Sequence, residues 1–172
     1  MSVRAALVLA TLAAVAGAPR AQHIDVPRTL TSEEGRAALV KGLDWLVANQ
    51  NEDGSWATSV LDGLLELGFS IETFYSWQVA ANGLACMALL NAPETPARLR
   101  ALERGLDWLG KTRVPQRGSD WDIDFVWAGL YGFIAAAEVA QDPRFKTGEW
   151  PAKLAALGQH YLTILEENQA PS

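Results

Sequence analysis

Hydrophobic positions along the chain follow two kinds of helical pattern, and the two kinds alternate. In the first kind, apolar residues such as Leu39, Leu43 and Leu46 form a stripe and leave a polar face. In the second kind, residues 77–90 and 125–140 are apolar nearly all round, which is typical of a helix buried on all sides. We therefore expect an all-α protein without a β-sheet. The helices are predicted at about 32–49, 72–91, 96–112, 123–141 and 151–168.

Short polar signals mark where two of these helices begin. Thr31–Glu34 has the form of a capping box, in which the hydroxyl and the acid satisfy backbone N–H groups. Thr95 is a cap residue, and Pro96 suits the first helical turn. In residues 57–70 two glycines interrupt a leucine-rich pattern, which predicts a loop with one turn of helix.

The alternation also predicts how the helices are layered. An amphipathic helix shows one face to solvent, so we expect the first, third and fifth helices to lie outside the second and fourth. Small residues on the two apolar helices allow them to pack closely. These residues are Ala80, Ala81, Gly83, Ala85, Ala128, Gly129, Gly132 and Ala135.

Part of the first helix recurs further along the chain. Arg104–Leu109 copies Lys41–Leu46 with a single substitution, and Gly129-Leu130 repeats Gly83-Leu84. The end of the chain matches the first copy again, as far as Gln169. Because this third copy stops there, we expect the sequence to be a fragment or a truncated version of a longer repeat protein.

The segment Lys41–Trp56 ends a helix and turns the chain back toward the side from which it came. The amide of Gln50 can pair with backbone groups that a helix end leaves unsatisfied, and the indole of Trp56 can clamp the turn. The segment therefore predicts a structural fastening.

The spacing in this segment resembles the QW motif of the terpenoid cyclase and protein prenyltransferase superfamily. The positions that carry the resemblance are Lys41, Gly42, Trp45, Leu46, Gln50, Gly54 and Trp56. The resemblance implies an α/α-toroid, a ring of helical pairs in the prenyltransferase and squalene oxidase repeat class. This chain would supply an incomplete ring of about two and a half repeats.

The first residues read as an export signal. Met1–Ala21 has a positive residue at Arg4, an uncharged apolar run and small residues suited to cleavage. The run is too short for a comfortable membrane span. An uncleaved anchoring helix is the alternative. We expect an exported protein with a signal peptide at 1–21, a linker at 22–31, a repeat domain at 32–172 and no transmembrane helix in the mature chain.

Charge narrows the choice of partner. The chain has a net charge of −6, and removal of the signal peptide, which carries two arginines and no acid, makes the charge more negative. No basic cluster remains, so nucleic acid and anionic membrane surfaces are poor partners. The single cysteine, Cys86, permits no internal disulfide and is expected to be buried and inert.

Three acids precede the fourth helix. Asp122-Ile-Asp124 resembles the first half of the acidic DxDD motif with which squalene–hopene cyclases protonate a polyene, but Phe125 replaces the last acid. By that resemblance Asp122 and Asp124 are candidate catalytic acids. Alternatively, Asp122 caps the helix, as Ser76 would at the matching position of the second helix.

Aromatic residues cluster near the starts of the two apolar helices. Phe74, Trp77, Trp127 and Tyr131 are candidate binding residues, because cyclases of this superfamily line their cavities with aromatic rings that stabilise carbocations. Ordinary core packing is the alternative.

Metal and cofactor sites are not indicated. Protein prenyltransferases hold zinc with Asp, Cys and His, but His23, Cys86 and His160 lie on different segments without ligand spacing. We expect neither a metal nor a cofactor.

Together these features predict an exported α/α-toroid repeat protein with a binding or scaffold role. Its partner would be an apolar small molecule or another protein. The alternative is a terpenoid cyclase-like enzyme whose remaining repeats are missing. A toroidal polysaccharide hydrolase or lyase, or a thioester-type domain, is a more distant possibility.

Overall fold

A computed structural model describes residues 31–56, 71–114, 116 and 123–168. These residues form α-helices and short 3₁₀ turns without a strand, which confirms the all-α prediction. The helices are α1 (Ser32–Ala48), α2 (Ile71–Leu90), α3 (Pro96–Lys111), α4 (Val126–Gln141) and α5 (Trp150–Glu167), with 3₁₀ turns at Ile123–Phe125 and Pro143–Phe145. The predicted signal peptide, most of the linker, the 57–70 loop and the Asp122 cap lie outside the described residues.

The described residues fall into two units, which divide between Ala37 and Ala38. In the first unit, the predicted capping box is present at the start of α1. The Glu34 amide N–H donates to Thr31 Oγ1 over 3.2 Å, and the Thr31 amide N–H donates to Glu34 Oε2 over 3.0 Å. In the second unit, Thr95 caps α3 as predicted, because its hydroxyl accepts from the Arg98 amide N–H.

The centre of the second unit is the close pair of α2 and α4. A side-chain carbon at Gly83 would lie 2.6 Å from the carbonyl oxygen of Tyr131, so only glycine permits this approach. Ser76 Oγ donates to the Phe125 carbonyl. Ser76 precedes Gly83 by about two helical turns, and Phe125 precedes Tyr131 by nearly as many residues. Because the contacts advance in the same direction on both helices, α2 and α4 run parallel.

The Ser76 contact corrects one expectation. Ser76 was a candidate cap for α2, but the helix begins at Ile71, close to the predicted start at about 72, and Ser76 lies fully buried in its second turn. Its hydroxyl instead joins α2 to the 3₁₀ turn before α4. A buried hydroxyl needs a hydrogen-bond partner, and the carbonyl of Phe125 provides it.

Two further helices, α3 and α5, pack on this pair. α3 contacts α2, and α5 contacts α4. Gly132 of α4 lies against the ring of Tyr161 on α5, and the Tyr161 hydroxyl donates to the Leu109 carbonyl at the end of α3 over 3.1 Å. Glycine at 132 thus lets a large, fully buried aromatic ring fill the space between α4 and α5.

The turn after α1 is fastened by two side chains. Gln50 Nε2 donates to the Gly54 carbonyl over 2.9 Å and to the Ala101 carbonyl of α3 over 2.8 Å. Trp56 Nε1 donates to the Leu46 carbonyl over 2.7 Å. Leu46 is in the last turn of α1, where carbonyls have no intrahelical partner. The two side chains therefore close the end of α1 and connect it to α3.

The same indole packs into α3. A side-chain carbon at Gly105 would lie 2.7 Å from the Trp56 ring and 2.8 Å from the sulfur of Cys86. Gly54 has a φ of 97°, and a side-chain carbon at this position would lie 2.5 Å from the carbonyl oxygen of Arg104. Cys86 is buried as expected, and desolvation raises the pKa of its thiol to about 12, so the thiol stays neutral at physiological pH.

The fastening predicts a large effect of Trp56→Ala. The change removes the hydrogen bond to Leu46 and the packing on Gly105, so we expect the free energy of unfolding to fall by about 3 kcal/mol, near the lower range for removal of a core aromatic. Chemical denaturation measures this. The matched control is Trp45→Ala, because 58% of Trp45 is exposed and surface changes usually cost less than about 0.5 kcal/mol. Equal effects of the two changes would contradict the fastening.

The two glycines in the repeated hexapeptide are expected to respond in opposite directions. A side-chain carbon at Gly42 meets nothing within 4 Å, so Gly42→Ala should stabilise α1 by up to about 1 kcal/mol through helix propensity. Gly105→Ala should destabilise the protein, because its methyl group collides with Trp56 and Cys86. Thermal unfolding of both variants compares them directly. A stabilising Gly105→Ala would contradict the close packing of Trp56.

Candidate functional site

One side of the α2 and α4 pair is covered by other helices. Cys86 of α2 faces Gly105 of α3, and Gly132 of α4 faces Tyr161 of α5. Successive residues on a helix are turned by about 100°. With the two helices parallel, Cys86 and Gly132 therefore lie on the same side of the pair.

The opposite side is apolar and only partly covered. Ile123 is 74% exposed, Leu84 is 48% exposed and Trp127 is 37% exposed. The same helical geometry places Leu84 of α2 and Trp127 of α4 on this one side. We call this surface the α2/α4 face. It consists of Trp77, Ala81, Leu84 and Ala88 on α2 and of Ile123, Trp127, Leu130, Tyr131 and Ile134 on α4 and the turn before it.

An aromatic pair lies on the α4 part of this face. The rings of Trp127 and Tyr131 are stacked, with centroids 5.8 Å apart and an angle of 19° between their planes. Trp127 Nε1 donates to Asp124 Oδ1 over 3.2 Å. The carboxylate thus fixes the indole at one end of the face, and the stacked rings present an apolar surface to solvent.

The predicted binding and catalytic residues do not all lie together in the structure. Trp127 and Tyr131 lie together with Asp124, and Trp77 lies on the α2 part of the face, half-buried. Phe74 is buried and contacts Tyr75 edge to face, so it is not part of the exposed surface. Asp122 lies outside the described residues.

The residues of the QW-like motif also differ in their contacts. Gln50, Gly54 and Trp56 make the contacts that fasten the turn to α3, and Leu46 provides the carbonyl acceptor. Lys41, Gly42 and Trp45 are exposed on α1 and take no part in that fastening.

Sequence reasoning missed the aliphatic part of the face. Leu84, Leu130 and Ile134 sit in stretches that are apolar all round, and Ile123 lies between two acids. None of the four carries a chemical signal of its own. Ile123, Trp127, Leu130 and Ile134 recur at helical spacing, which would have placed them on one stripe. That spacing could not show whether the stripe is covered.

The stretch Ile123–Gln141 is long and apolar enough to cross a membrane by length and composition, with 39% of its most apolar window buried in the fold. Core helices pass the same test. Here the stretch packs against α2 and α5. This stretch is therefore an apolar helix that other helices cover on part of its circumference.

Metal chemistry has little support in the part of the chain that the structure describes. No group of three or more His, Cys, Asp and Glu residues could hold an ion there. His160 lies on α5 beside Tyr161, and burial together with the positive charge of Arg113 lowers its pKa below the usual value.

Searches of protein-family models, curated proteins and solved structures found no match to this chain. The interpretation of the α2/α4 face therefore rests on its own residues and on the QW-like spacing.

Replacement of Asp124 tests how the aromatic pair is held. Asp124→Ala removes the acceptor for the Trp127 indole and should lower the free energy of unfolding by about 1 kcal/mol. Asp124→Asn should cost less, since its amide oxygen can still accept. Denaturant titration gives the stabilities, and the NMR resonance of the Trp127 indole N–H reports its hydrogen bond. An unchanged indole resonance in Asp124→Ala would contradict the contact.

Proposed function

We propose that the chain is a partial α/α-toroid repeat protein that is exported and binds an apolar molecule on the α2/α4 face. The observation that carries this proposal is the face itself. It is a continuous apolar surface with a stacked aromatic pair, on the side of α2 and α4 away from α3 and α5. Large exposed apolar patches usually mark a surface that binds something.

The arrangement of helices supports a repeat of helical pairs. α2 and α4 are parallel neighbours, and each carries one amphipathic helix, α3 or α5, on the same side. Repetition of such a pair around a ring would turn the α2/α4 face toward the interior. In that arrangement the face would line a cavity, which suits an apolar ligand.

Export is the second part of the proposal, and its support is the N-terminal sequence. A charged residue, an uncharged apolar run and small residues occur in the order found in secretory signals. An exported binding module needs no soluble cofactor from the cytoplasm, and the proposed role requires none.

The main alternative is a terpenoid cyclase-like enzyme. It is favoured by one arrangement, in which Asp124 contacts Trp127 and Trp127 stacks on Tyr131. In such an enzyme Asp122 and Asp124 would supply the proton and the rings would stabilise the carbocation by cation–π attraction. The binding role is preferred, because it needs only the described surface, whereas the enzyme also needs Asp122 and further repeats.

A binding assay with farnesol, a linear isoprenoid alcohol, tests the proposal. We expect farnesol to change the tryptophan fluorescence of the exported form, and Trp127→Ala to weaken binding by about tenfold, the equivalent of about 1.4 kcal/mol for loss of an aromatic anchor. Trp45→Ala is the matched control, since it removes an exposed tryptophan from α1 and should leave the affinity unchanged. Equal losses in both variants, or no binding, would contradict a site on the α2/α4 face.

Squalene distinguishes binding from catalysis. The binding role predicts that squalene is recovered unchanged after incubation with the protein. A cyclised product that disappears in Asp122→Asn and Asp124→Asn, at unchanged stability, would favour the enzyme, because an amide cannot donate the required proton.

A further inference from the structure

A second bare surface lies on α1, at residues whose sequence copy on α3 is covered. We call it the α1 surface, and it consists of Leu39, Lys41, Gly42 and Trp45. Leu39 is 57% exposed, whereas its counterpart Leu102 is 1% exposed. Trp45 is 58% exposed. The two helices have nearly the same hexapeptide, so the difference arises from what lies against each of them.

The loop Asn51–Trp56 covers the copy on α3, and two of its side chains make specific contacts there. The indole of Trp56 lies on Gly105, in space that a side-chain carbon would occupy. Asp53 Oδ2 accepts a hydrogen bond from Trp108 Nε1 over 3.1 Å. An aromatic ring and a carboxylate on the loop therefore recognise a glycine and an indole N–H on α3.

A cation completes this contact. Arg104 donates to the carbonyls of Asn51 over 2.6 Å and Glu52 over 3.0 Å. Desolvation acts to raise the pKa of Asp53, but hydrogen bonds from Ser55 and Trp108 outweigh it and lower the pKa below the usual value. The loop thus presents an ionised carboxylate and two carbonyls to a surface of hydrogen-bond donors.

The α1 surface presents the same groups in the same order. Lys41 stands where Arg104 stands on α3, Gly42 corresponds to Gly105 and Trp45 corresponds to Trp108. A side-chain carbon at Gly42 would meet nothing within 4 Å, so the place that Trp56 fills on α3 is open on α1. Within the described part of the chain, no hydrogen bond is found for the indole N–H of Trp45.

The chain contains two loops with the Gly-x-Trp spacing. Its sequence contains Gly-x-Trp at Gly54–Trp56 and at Gly148–Trp150. The first lies on α3, and in the second Trp150 packs edge to face against Phe145, with centroids 5.1 Å apart. The tryptophans of both loops are therefore already packed elsewhere in the fold, and neither covers the α1 surface.

We propose that the α1 surface is a docking site for an acidic loop of another protein that carries the sequence Asp-Gly-x-Trp. The tryptophan of that loop lies on Gly42, its aspartate accepts from the indole N–H of Trp45, and Lys41 donates to its backbone carbonyls. Charge complementarity supports this occupant, because the ammonium group of Lys41 attracts an acidic loop, while the indole N–H of Trp45 can donate to its carboxylate. The site is separate from the α2/α4 face and does not depend on its ligand.

A peptide with the sequence of residues 49–57, which contains Asp53, Gly54 and Trp56, is a suitable probe. We expect it to shift the NMR resonance of the Trp45 indole N–H, which is assigned by its absence in Trp45→Phe. A control peptide with Asp53→Ala and Trp56→Ala should leave the resonance in place. The binding curve gives the affinity.

Two matched variants locate the site. Gly42→Leu fills the open space on α1 and should weaken peptide binding by at least about tenfold. Gly110→Leu adds the same side chain to α3 at another position where nothing lies within 4 Å, so its affinity should stay within about twofold of the wild type. Both variants should fold, since neither glycine is in a close contact.

Four results would overturn the proposal. The first is an unshifted Trp45 resonance at millimolar peptide, and the second is equal binding of the control peptide. The third is full binding to Gly42→Leu, which would place the peptide elsewhere, for example in exchange with the chain's own loop on α3. The fourth is a dimer of the wild type that Gly42→Leu dissociates while the peptide has no effect, which would assign the surface to a second copy.

Discussion

The packing of Trp56 against Gly105 is the contact on which the arrangement of the first three helices depends. The indole donates to the Leu46 carbonyl at the end of α1 and occupies a place in α3 that only a glycine leaves open. The amide N–H of Trp56 also donates to the side chain of Asn82 in α2. One residue therefore connects α1, α2 and α3, and it satisfies a helix-end carbonyl that would otherwise need another partner.

Glycine has the same role deeper in the fold, where it decides which helices can be neighbours. Gly83 lets α2 approach the backbone of α4, and Gly132 lets α5 insert the ring of Tyr161 against α4. Interiors are packed as densely as organic crystals, so a single added carbon at such a position is felt by both partners. Among the helices that the structure describes, none covers the other side of α2 and α4, and this side is the α2/α4 face.

Two surfaces of different chemistry are exposed in the part of the chain that the structure describes. The α2/α4 face is apolar and carries the stacked rings of Trp127 and Tyr131. The α1 surface combines an open glycine with hydrogen-bond donors, and a loop of this chain already covers the same residues on α3. Exposed apolar area stabilises whatever contact removes it from water, at roughly 25 cal/mol per Å². Both surfaces are therefore suited to binding, one to an apolar ligand and the other to a polypeptide loop.

The sequence by itself determined the helices and the caps at Thr31 and Thr95, because these depend on periodicity and on contacts between residues near in the chain. The contacts of Gln50 with Ala101 and of Trp56 with Gly105 join residues far apart in the chain, so they depend on the tertiary structure. The sequence left two roles open for Ser76, a helix cap or a position inside α2, since a serine before an apolar run suits either. It also could not show which side of α2 and α4 is bare, because a helix that is apolar all round has no side marked by polarity. Lys41–Leu46 and Arg104–Leu109 are almost identical in sequence, yet Gly42 is exposed and its counterpart Gly105 is buried. Only the tertiary structure decided that difference, because exposure depends on which neighbour reaches a residue and not on the residue alone.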